Sequence, residues 1–285
     1  MLPPWPAPAK LNLLLRITGR RGDGYHLLQT VFQFLDYGDY LHLTVREDGD
    51  IVRLTNLPGV APEQDLVVKA ARLLQRYSGT RYGVSLAVDK RLPLGGGLGG
   101  GSSNAATVLV ALNRLWGLGL TEEALAQLGL GLGADVPVFV RGQAAWGEGV
   151  GEVLTPLTLS ESWFLVVVPD CLVSTAAVFN DPELTRHSPP ITIDDFLAGA
   201  IGNDCEAIVR RRYPPVDQAL GWLEKRGVAR LTGTGACVFA AFPNEETPQT
   251  LLSQLPTGWR GFVARGRNRS PLLDRLAQAS ERVSQ

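Results

Sequence analysis

The chain has 285 residues, 45% of them hydrophobic and 19% charged, with a formal net charge of −1. That length gives room for two domains, or one large one, with a real core, and the composition is that of a globular protein in water. The charge balance argues against a nucleic-acid binder, which carries a basic surplus, and no apolar run approaches the ~20 residues of a membrane span. The start, MLPPWPAPAK, holds no hydrophobic signal segment, so a protein that is not exported is expected. Cys171, Cys205 and Cys237 are odd in number and widely spaced, matching neither a disulfide framework nor a zinc site. Reduced, mostly buried thiols are expected, with the cytoplasm as compartment.

In chain order, LNLLLRI at 11–17 predicts a strand, next to Lys10 and Asn12. On residues alone, Lys10 is as readily a solvated strand edge as a functional cation. GRRGDGYH at 19–26 is turn chemistry around Asp23-Gly24, with Tyr25 and His26 at its exit. LLQTVFQFL and LHLTVR predict two half-buried strands separated by a turn at DYGD, and DIVRL adds a short third. DLVVKAARLLQRY, 65–77, has apolar residues at 66, 67, 70, 73, 74 and 77 and predicts an amphipathic helix with Asp65 as N-cap. GVSLAVDK, 83–90, predicts the strand that delivers the chain to a glycine-rich loop. Lys90 and Arg91, just ahead of it, are either solvated charges or a supply of positive charge to the loop.

That loop, Pro93 to Asn104, reads PLGGGLGGGSSN and runs into NAATVLVALNRLW. Ala105, Ala106, Leu109, Leu112 and Leu115 recur at three- and four-residue spacing with no Pro or Gly between, which predicts a buried helix. A glycine loop opening into a helix start gathers unpaired backbone N–H groups and the positive end of the dipole, which suits a phosphate. Side chains would keep the backbone from closing on the anion. A Walker A loop needs Gly-Lys-Ser/Thr, and here Gly101 is followed by Ser102 and Ser103 without a lysine. Gly95, Gly97 and Gly100 meet the dinucleotide fingerprint formally, but its distal acid should close a second strand, whereas Glu122 and Glu123 open a helix. A flexible surface loop is the plain alternative; a phosphate cradle of a third kind is favoured.

Past the loop helix, TEEALAQLGLGL begins with Thr121 as N-cap and two acids in its first turn. In GADVPVFVRG, Asp135 is an isolated acid: the N-cap of a short helix bearing Pro137, a catalytic carboxylate, or both. The composition turns glycine-rich at 142–160, and the expected division is 1–155 and 156–285, with WFLVVVP opening a smaller α+β unit. There STAAVFND holds Thr175 and Phe179. NDCEAIVRRRY, PVDQALGWLEKR and 246–255 predict helices; VARL, ACVFAAF and GFVAR predict strands, with the glycines of LTGTGACVFAAF in a tight turn.

Pro-x-x-x-Gly-Leu-Gly followed by Ser-Ser and small residues resembles the nucleotide loop of the galactokinase–homoserine kinase–mevalonate kinase–phosphomevalonate kinase (GHMP) superfamily. PAKLNL, GRRGDGYHLLQTVFQFLDYGD, GLGGGSSNAA, GADVPVF and LTGTGACVFA carry the likeness over nearly the whole chain, toward members that act on a cytidine diphosphate ester of methylerythritol. The resemblance implies an α+β, two-domain fold: an N-terminal ribosomal-protein-S5-domain-2-like unit, a C-terminal ferredoxin-like unit and an active site between them. It implies ATP and Mg2+ as cofactors and a small-molecule substrate, with no nucleic acid, membrane or obligate protein partner. Pro93, Leu94, Gly95, Gly96, Gly97, Leu98, Gly99, Gly100, Gly101, Ser102 and Ser103 would surround the nucleotide phosphates, with Lys90 adding charge and Asp65 near the adenine. Ser102 or Ser103 would reach the metal.

Lys10 and Asp135 are the implied catalytic pair. Asn12, Tyr25, His26, Thr175 and Phe179 are the implied substrate contacts, the cytosine being stacked by Tyr25 and Phe179 and read by His26. Phosphoryl transfer asks mainly for positioning and charge neutralisation, so a cradle, a lysine and one carboxylate on the acceptor hydroxyl would suffice. Asp65 departs from the asparagine expected of members; an aspartate accepts but cannot donate a hydrogen bond. No acid matches the additional magnesium-binding glutamate of mevalonate kinases. A small-alcohol kinase of homoserine or mevalonate type would keep the loop but lack the Tyr25, His26 and Phe179 set. A nicotinamide oxidoreductase is the alternative from outside the superfamily.

Overall fold

The computed structural model describes residues 3–57 and 59–281. Its N-terminal half is built on one long hairpin: β1 (Trp5–Arg20) and β2 (His26–Arg46) pair antiparallel from Trp5↔Leu41 to Arg20↔His26. β1 takes in the proline-rich start as well as the predicted 11–17 run. DYGD is not a turn, because β2 runs straight through it. Its polar residues serve neighbours beyond the hairpin. Asp36 accepts the Arg265 N–H, and fully buried Asp39 accepts the N–H groups of Arg91 and Leu92 and the Nζ of Lys90. Gly38 answers to a close approach: a Cβ there would lie 2.2 Å from the Ala7 carbonyl oxygen on β1.

β3 (Ile51–Arg53), α1 (Leu66–Ser78) and β4 (Gly83–Asp89) follow, with Asp65 capping α1 by accepting the Val67 N–H as expected. The glycine loop opens α2 (Gly100–Leu115), buried at every position from Ser103 to Leu112. α3 (Glu122–Leu130) starts under Thr121, whose hydroxyl accepts the Ala124 N–H, and α4 (Val136–Arg141) follows Asp135. The glycine-rich 142–160 stretch forms β5 (Ala145–Glu148) and β6 (Val153–Pro156), and β5 pairs with both β6 and β2. The first sheet therefore takes strands as far as Pro156.

The second half runs β7 (Trp163–Val168), α5 (Thr175–Asn180), α6 (Ile193–Leu197), β8 (Gly202–Asn203), α7 (Glu206–Arg212) and α8 (Pro214–Glu224). It ends with β9 (Ala229–Leu231), β10 (Val238–Phe242), α9 (Glu246–Ser253), β11 (Arg260–Arg267) and α10 (Pro271–Glu281). β9, β10, β7 and β11 lie side by side, all antiparallel. β11 also pairs with β2 at Gly266↔Leu35 and Arg267↔Phe34, which joins the two halves into one sheet.

Three apolar clusters follow from this layout. One fills the space between the first sheet and α1, α2 and α4, and includes Leu272 of α10. A second lies under α5, α7 and α8. The third, with Leu11 and Leu35 against Phe164 and Phe239, sits between the halves. Cys171, Cys205 and Cys237 are free thiols; burial pushes the latter two up to about 12, so they are inert at neutral pH. No helix among the described residues is long and apolar enough to cross a membrane.

Candidate active site

A cavity of about 880 Å³ opens where the glycine loop, the β1–β2 turn, Asp135 and α5 converge. Lys10 reaches it from β1 with only 3% of its surface exposed, so the solvated-edge alternative is excluded. A buried ammonium needs partners, and three acceptors meet its three N–H bonds. They are Asn12 Oδ1 at 2.5 Å, the Gly97 carbonyl at 3.0 Å and Asp135 Oδ2 at 3.2 Å. Asn12 is itself oriented. The Thr30 hydroxyl donates its one proton to the Leu14 carbonyl at 2.7 Å and so accepts from Asn12 Nδ2 at 2.8 Å, which turns Asn12 Oδ1 toward Lys10.

Asp135 stands at the N-cap position of α4, yet it is helical there (φ −82°, ψ −10°) and its side chain caps nothing. The carboxylate, one-third exposed, faces Lys10 and the cavity instead. Pro137 in the first turn has no N–H to satisfy, which lessens the need for a cap.

The loop has a second reason for its glycines besides room for an anion. At Gly97 (φ 74°) a Cβ would lie 2.2 Å from the Thr232 carbonyl oxygen, and at Gly99 (φ 72°) 2.8 Å from the Phe139 ring. The β9–β10 turn closes on the loop from that side. Ala236 and Cys237 donate their N–H groups to the Gly95 and Gly96 carbonyls at 3.1 Å, and the Thr232 hydroxyl donates to Gly97 O at 3.3 Å. The carbonyls are thus engaged, while the N–H groups of Gly95 to Gly99 have no acceptor among the described residues. Those donors and the N-terminus of α2 form one positive surface beside the cavity. Lys90 also lines the cavity, its ammonium paired at 2.6 Å with the buried Asp39.

Two expected contacts are corrected. Asp65 does not reach the cavity: one oxygen caps α1 and the other accepts from Arg53 Nη1 at 2.9 Å, in a pair buried on both sides. The negative charge that replaces the expected asparagine is neutralised inside the protein, and Leu66 is the neighbour that lines the cavity. Of the two serines, Ser102 lines the cavity, whereas Ser103 is fully buried and its hydroxyl has no partner among the described residues. Helix periodicity explains this, since consecutive positions point about 100° apart.

Tyr25, His26, Thr175 and Phe179 all line the cavity. Tyr25 is exposed, and the Thr175 hydroxyl lies 2.9 Å from that of Thr234. The rings of His26 and Phe179 stack on each other at 4.9 Å and 24°, so one face of Phe179 is already covered by the histidine. Burial, helped by the charges of Arg186 and Arg20, holds the His26 pKa below its ordinary 6.5. Thr30, Asp39, Thr232, Thr234 and Arg186 also shape the site and were not singled out in the sequence. Only Thr232 and Thr234 had a signal, in LTGTG; Asp39 was hidden inside an apparent turn, and Arg186 in a stretch without period.

Among the described residues no group of three or more His, Cys, Asp or Glu side chains could hold a metal. The GHMP kinases N terminal domain family matches residues 65–143, and the GHMP kinases C terminal family residues 194–261. The 4-diphosphocytidyl-2-C-methyl-D-erythritol kinase of Halorhodospira halophila is 59% identical over 279 residues, 97% of either chain. That of Alkalilimnicola ehrlichii is 61% identical over 272 residues, covering 95% of this chain and 94% of the relative. A crystal structure of 4-(cytidine 5'-diphospho)-2C-methyl-D-erythritol kinase superimposes with a TM-score of 0.82 at 30% identity, covering 93% of this chain and 99% of its own. A mevalonate kinase crystal structure shares the fold, with a TM-score of 0.68 at 17% identity over 94% of this chain and all of the other. With the α+β architecture, the glycine loop and near-full-length identity all in agreement, the chain belongs to the 4-diphosphocytidyl-2-C-methyl-D-erythritol kinase family of GHMP kinases.

Proposed function

We propose that the protein transfers the γ-phosphoryl group of ATP to the 2-hydroxyl of 4-diphosphocytidyl-2-C-methyl-D-erythritol, giving the 2-phosphate and ADP within non-mevalonate isoprenoid synthesis. The observation that carries this is the Lys10–Asp135 pair, which faces the cavity beside a row of unpaired loop N–H groups. The loop and the start of α2 hold the nucleotide phosphates, and Lys90 adds charge beside them. Asp135 accepts the proton of the attacking hydroxyl, and Lys10 stabilises the oxygen and the transferring phosphoryl group. Asn12 keeps Lys10 in register and touches the substrate. Tyr25, His26, Thr175 and Phe179 hold the cytidine end.

The residues present fit a magnesium ion carried mainly by nucleotide phosphates, with Ser102 as the protein hydroxyl within reach; they do not fit an ion caged by the protein. When bound, the ion neutralises phosphate charge as it builds up in transfer. Reduced thiols and the small-molecule substrate fit a cytoplasmic enzyme. The chain divides into 1–155 and 156–285, with the last residue of β6 at the boundary and α10 returning to the first core. Phosphorus NMR of the reaction mixture tests the chemistry. One new phosphomonoester signal per ADP, with the substrate diphosphate intact, is expected; cleavage of the diphosphate instead would refute alcohol phosphorylation.

A further inference from the structure

Arg186 lies between α5 and α6, outside every motif, and its guanidinium ties the cytidine end of the cavity together. Its Nη2 donates to the carbonyls of Phe179 at 2.9 Å and Asp181 at 2.7 Å, and its Nη1 to that of Leu184 at 3.1 Å. The first of these residues, Phe179, has a carbonyl left open in the last turn of α5. Its Nε donates to His26 Nε2 at 3.2 Å. A guanidinium has donors only and keeps its proton at any ordinary pH. His26 Nε2 must therefore be the acceptor, and the proton of the neutral ring must sit on Nδ1. His26 lines the cavity, and its Nδ1 has no hydrogen-bond partner among the described residues.

We propose that Arg186 is a positioning residue that fixes His26 as the Nδ1–H tautomer and so makes the ring a hydrogen-bond donor toward the substrate's base. The proposal rests on the function given above for placing a pyrimidine at this end of the cavity. Its consequence is selectivity by polarity. Cytosine presents acceptors at N3 and O2, whereas uracil presents a donor at N3, so a fixed donor aimed at N3 suits the first and opposes the second. A ring free to exchange tautomers would suit either. Protonation would place an N–H on Nε2 against the Arg186 Nε–H, donor against donor, and the neighbouring charges of Arg186 and Arg20 oppose it as well. The same guanidinium holds the backbone of Phe179, whose ring stacks on His26, so the two rings are set as one unit.

Long-range proton–nitrogen correlation NMR on protein labelled with 15N-histidine reads the tautomer directly, with His26→Gln assigning the resonance. The free wild-type protein should show a pyrrole-like Nδ1 and a pyridine-like Nε2, the reverse of the Nε2–H form that imidazole favours in water. Arg186→Met should shift His26 toward that solution form. It should also lower the cytidine-over-uridine ratio in kcat/KM about tenfold, chiefly through KM for the cytidine ester. An Nε2–H ring in the wild type overturns the proposal, and this needs no variant should Arg186→Met fail to fold. An unchanged ring or an unchanged ratio in a folded Arg186→Met overturns it too. A wild type with the Nδ1–H ring but no cytidine preference would instead sink the assignment of the substrate, while supporting the hold of Arg186 on the tautomer.

Discussion

Lys10 is enclosed and Asp135 is one-third open, so the pair is asymmetric: the lysine is held by three acceptors while the carboxylate stays open to the cavity. Asp135→Asn and Lys10→Ala should each lower turnover by roughly 10²–10⁴, the usual worth of a positioned acid–base group. ATP binding should change far less in Asp135→Asn, and the double variant should lose less than the product of the singles, because the residues act as a unit. Near-full turnover in both singles would make the pair structural. Asp39→Ala leaves the Lys90 ammonium and the Arg91 and Leu92 N–H groups without their acceptor. It should cost about 3–5 kcal/mol in urea unfolding and raise KM for ATP. The lowered pKa of His26 has a stability consequence. Below the ordinary 6.5 the unfolded chain takes up a proton that the folded ring resists, so this contribution is full above that pH and is lost as pH falls. Urea midpoints at about pH 7.5 and about pH 5.5 should therefore differ more in wild type than in His26→Gln; equal differences would contradict the buried, neutral ring. At this scale the sequence was informative for residues inside motifs. For Asp65 the N-cap role was legible, but the place near the adenine that the resemblance implies is not met, because Arg53, twelve residues back, takes the second oxygen.

Elements whose ends carry caps were legible. Asp65 and Thr121 start α1 and α3 where the side chains suggested, and the uninterrupted apolar run after the loop is α2. DYGD was not legible as strand, since Asp and Gly commonly mark turns and their partners here, Arg265, Leu92 and Ala7, lie far away in sequence. The helices α5 and α6 are too short to show a period. The glycine loop was read correctly as a loop before a buried helix, and the resemblance puts the LTGTG motif close to it; the residues alone could not show the contacts by which the β9–β10 turn braces it. That packing changes what a substitution should do. Gly97→Ala meets the Thr232 carbonyl and a left-handed backbone, so the melting temperature should fall together with ATP affinity. Gly101→Ala has a right-handed backbone within α2 and meets only the tip of Leu66 at 3.2 Å. Thermal stability there should be kept, or gain up to about 1 kcal/mol, while KM for ATP rises. If Gly97→Ala melts like wild type, the turn does not brace the loop.

Across the whole molecule, the cavity draws Lys10 and the loop from the N-terminal half, and Thr175, Phe179 and Thr234 from the C-terminal half. The C-terminal helix crosses back, with Leu272 of α10 buried in the first core. Leu272→Ala should cost about 2–5 kcal/mol and reduce hydrogen-exchange protection in α2 more than in α8. Protection lost chiefly in α8 would place α10 energetically with the second half. The two-unit α+β plan was legible from motif order, but the return of α10 and the β2–β11 join were not, because both depend on contacts across most of the chain. The claim that unites the halves is a site built for a cytidine diphosphate ester. Its most direct test is kcat/KM, in an ADP-release assay, for that ester of methylerythritol against mevalonate and homoserine. A preference on the order of 10⁴ is expected, as for a site whose polar groups are left unpaired by the wrong substrate. Comparable rates with mevalonate or homoserine would contradict the account.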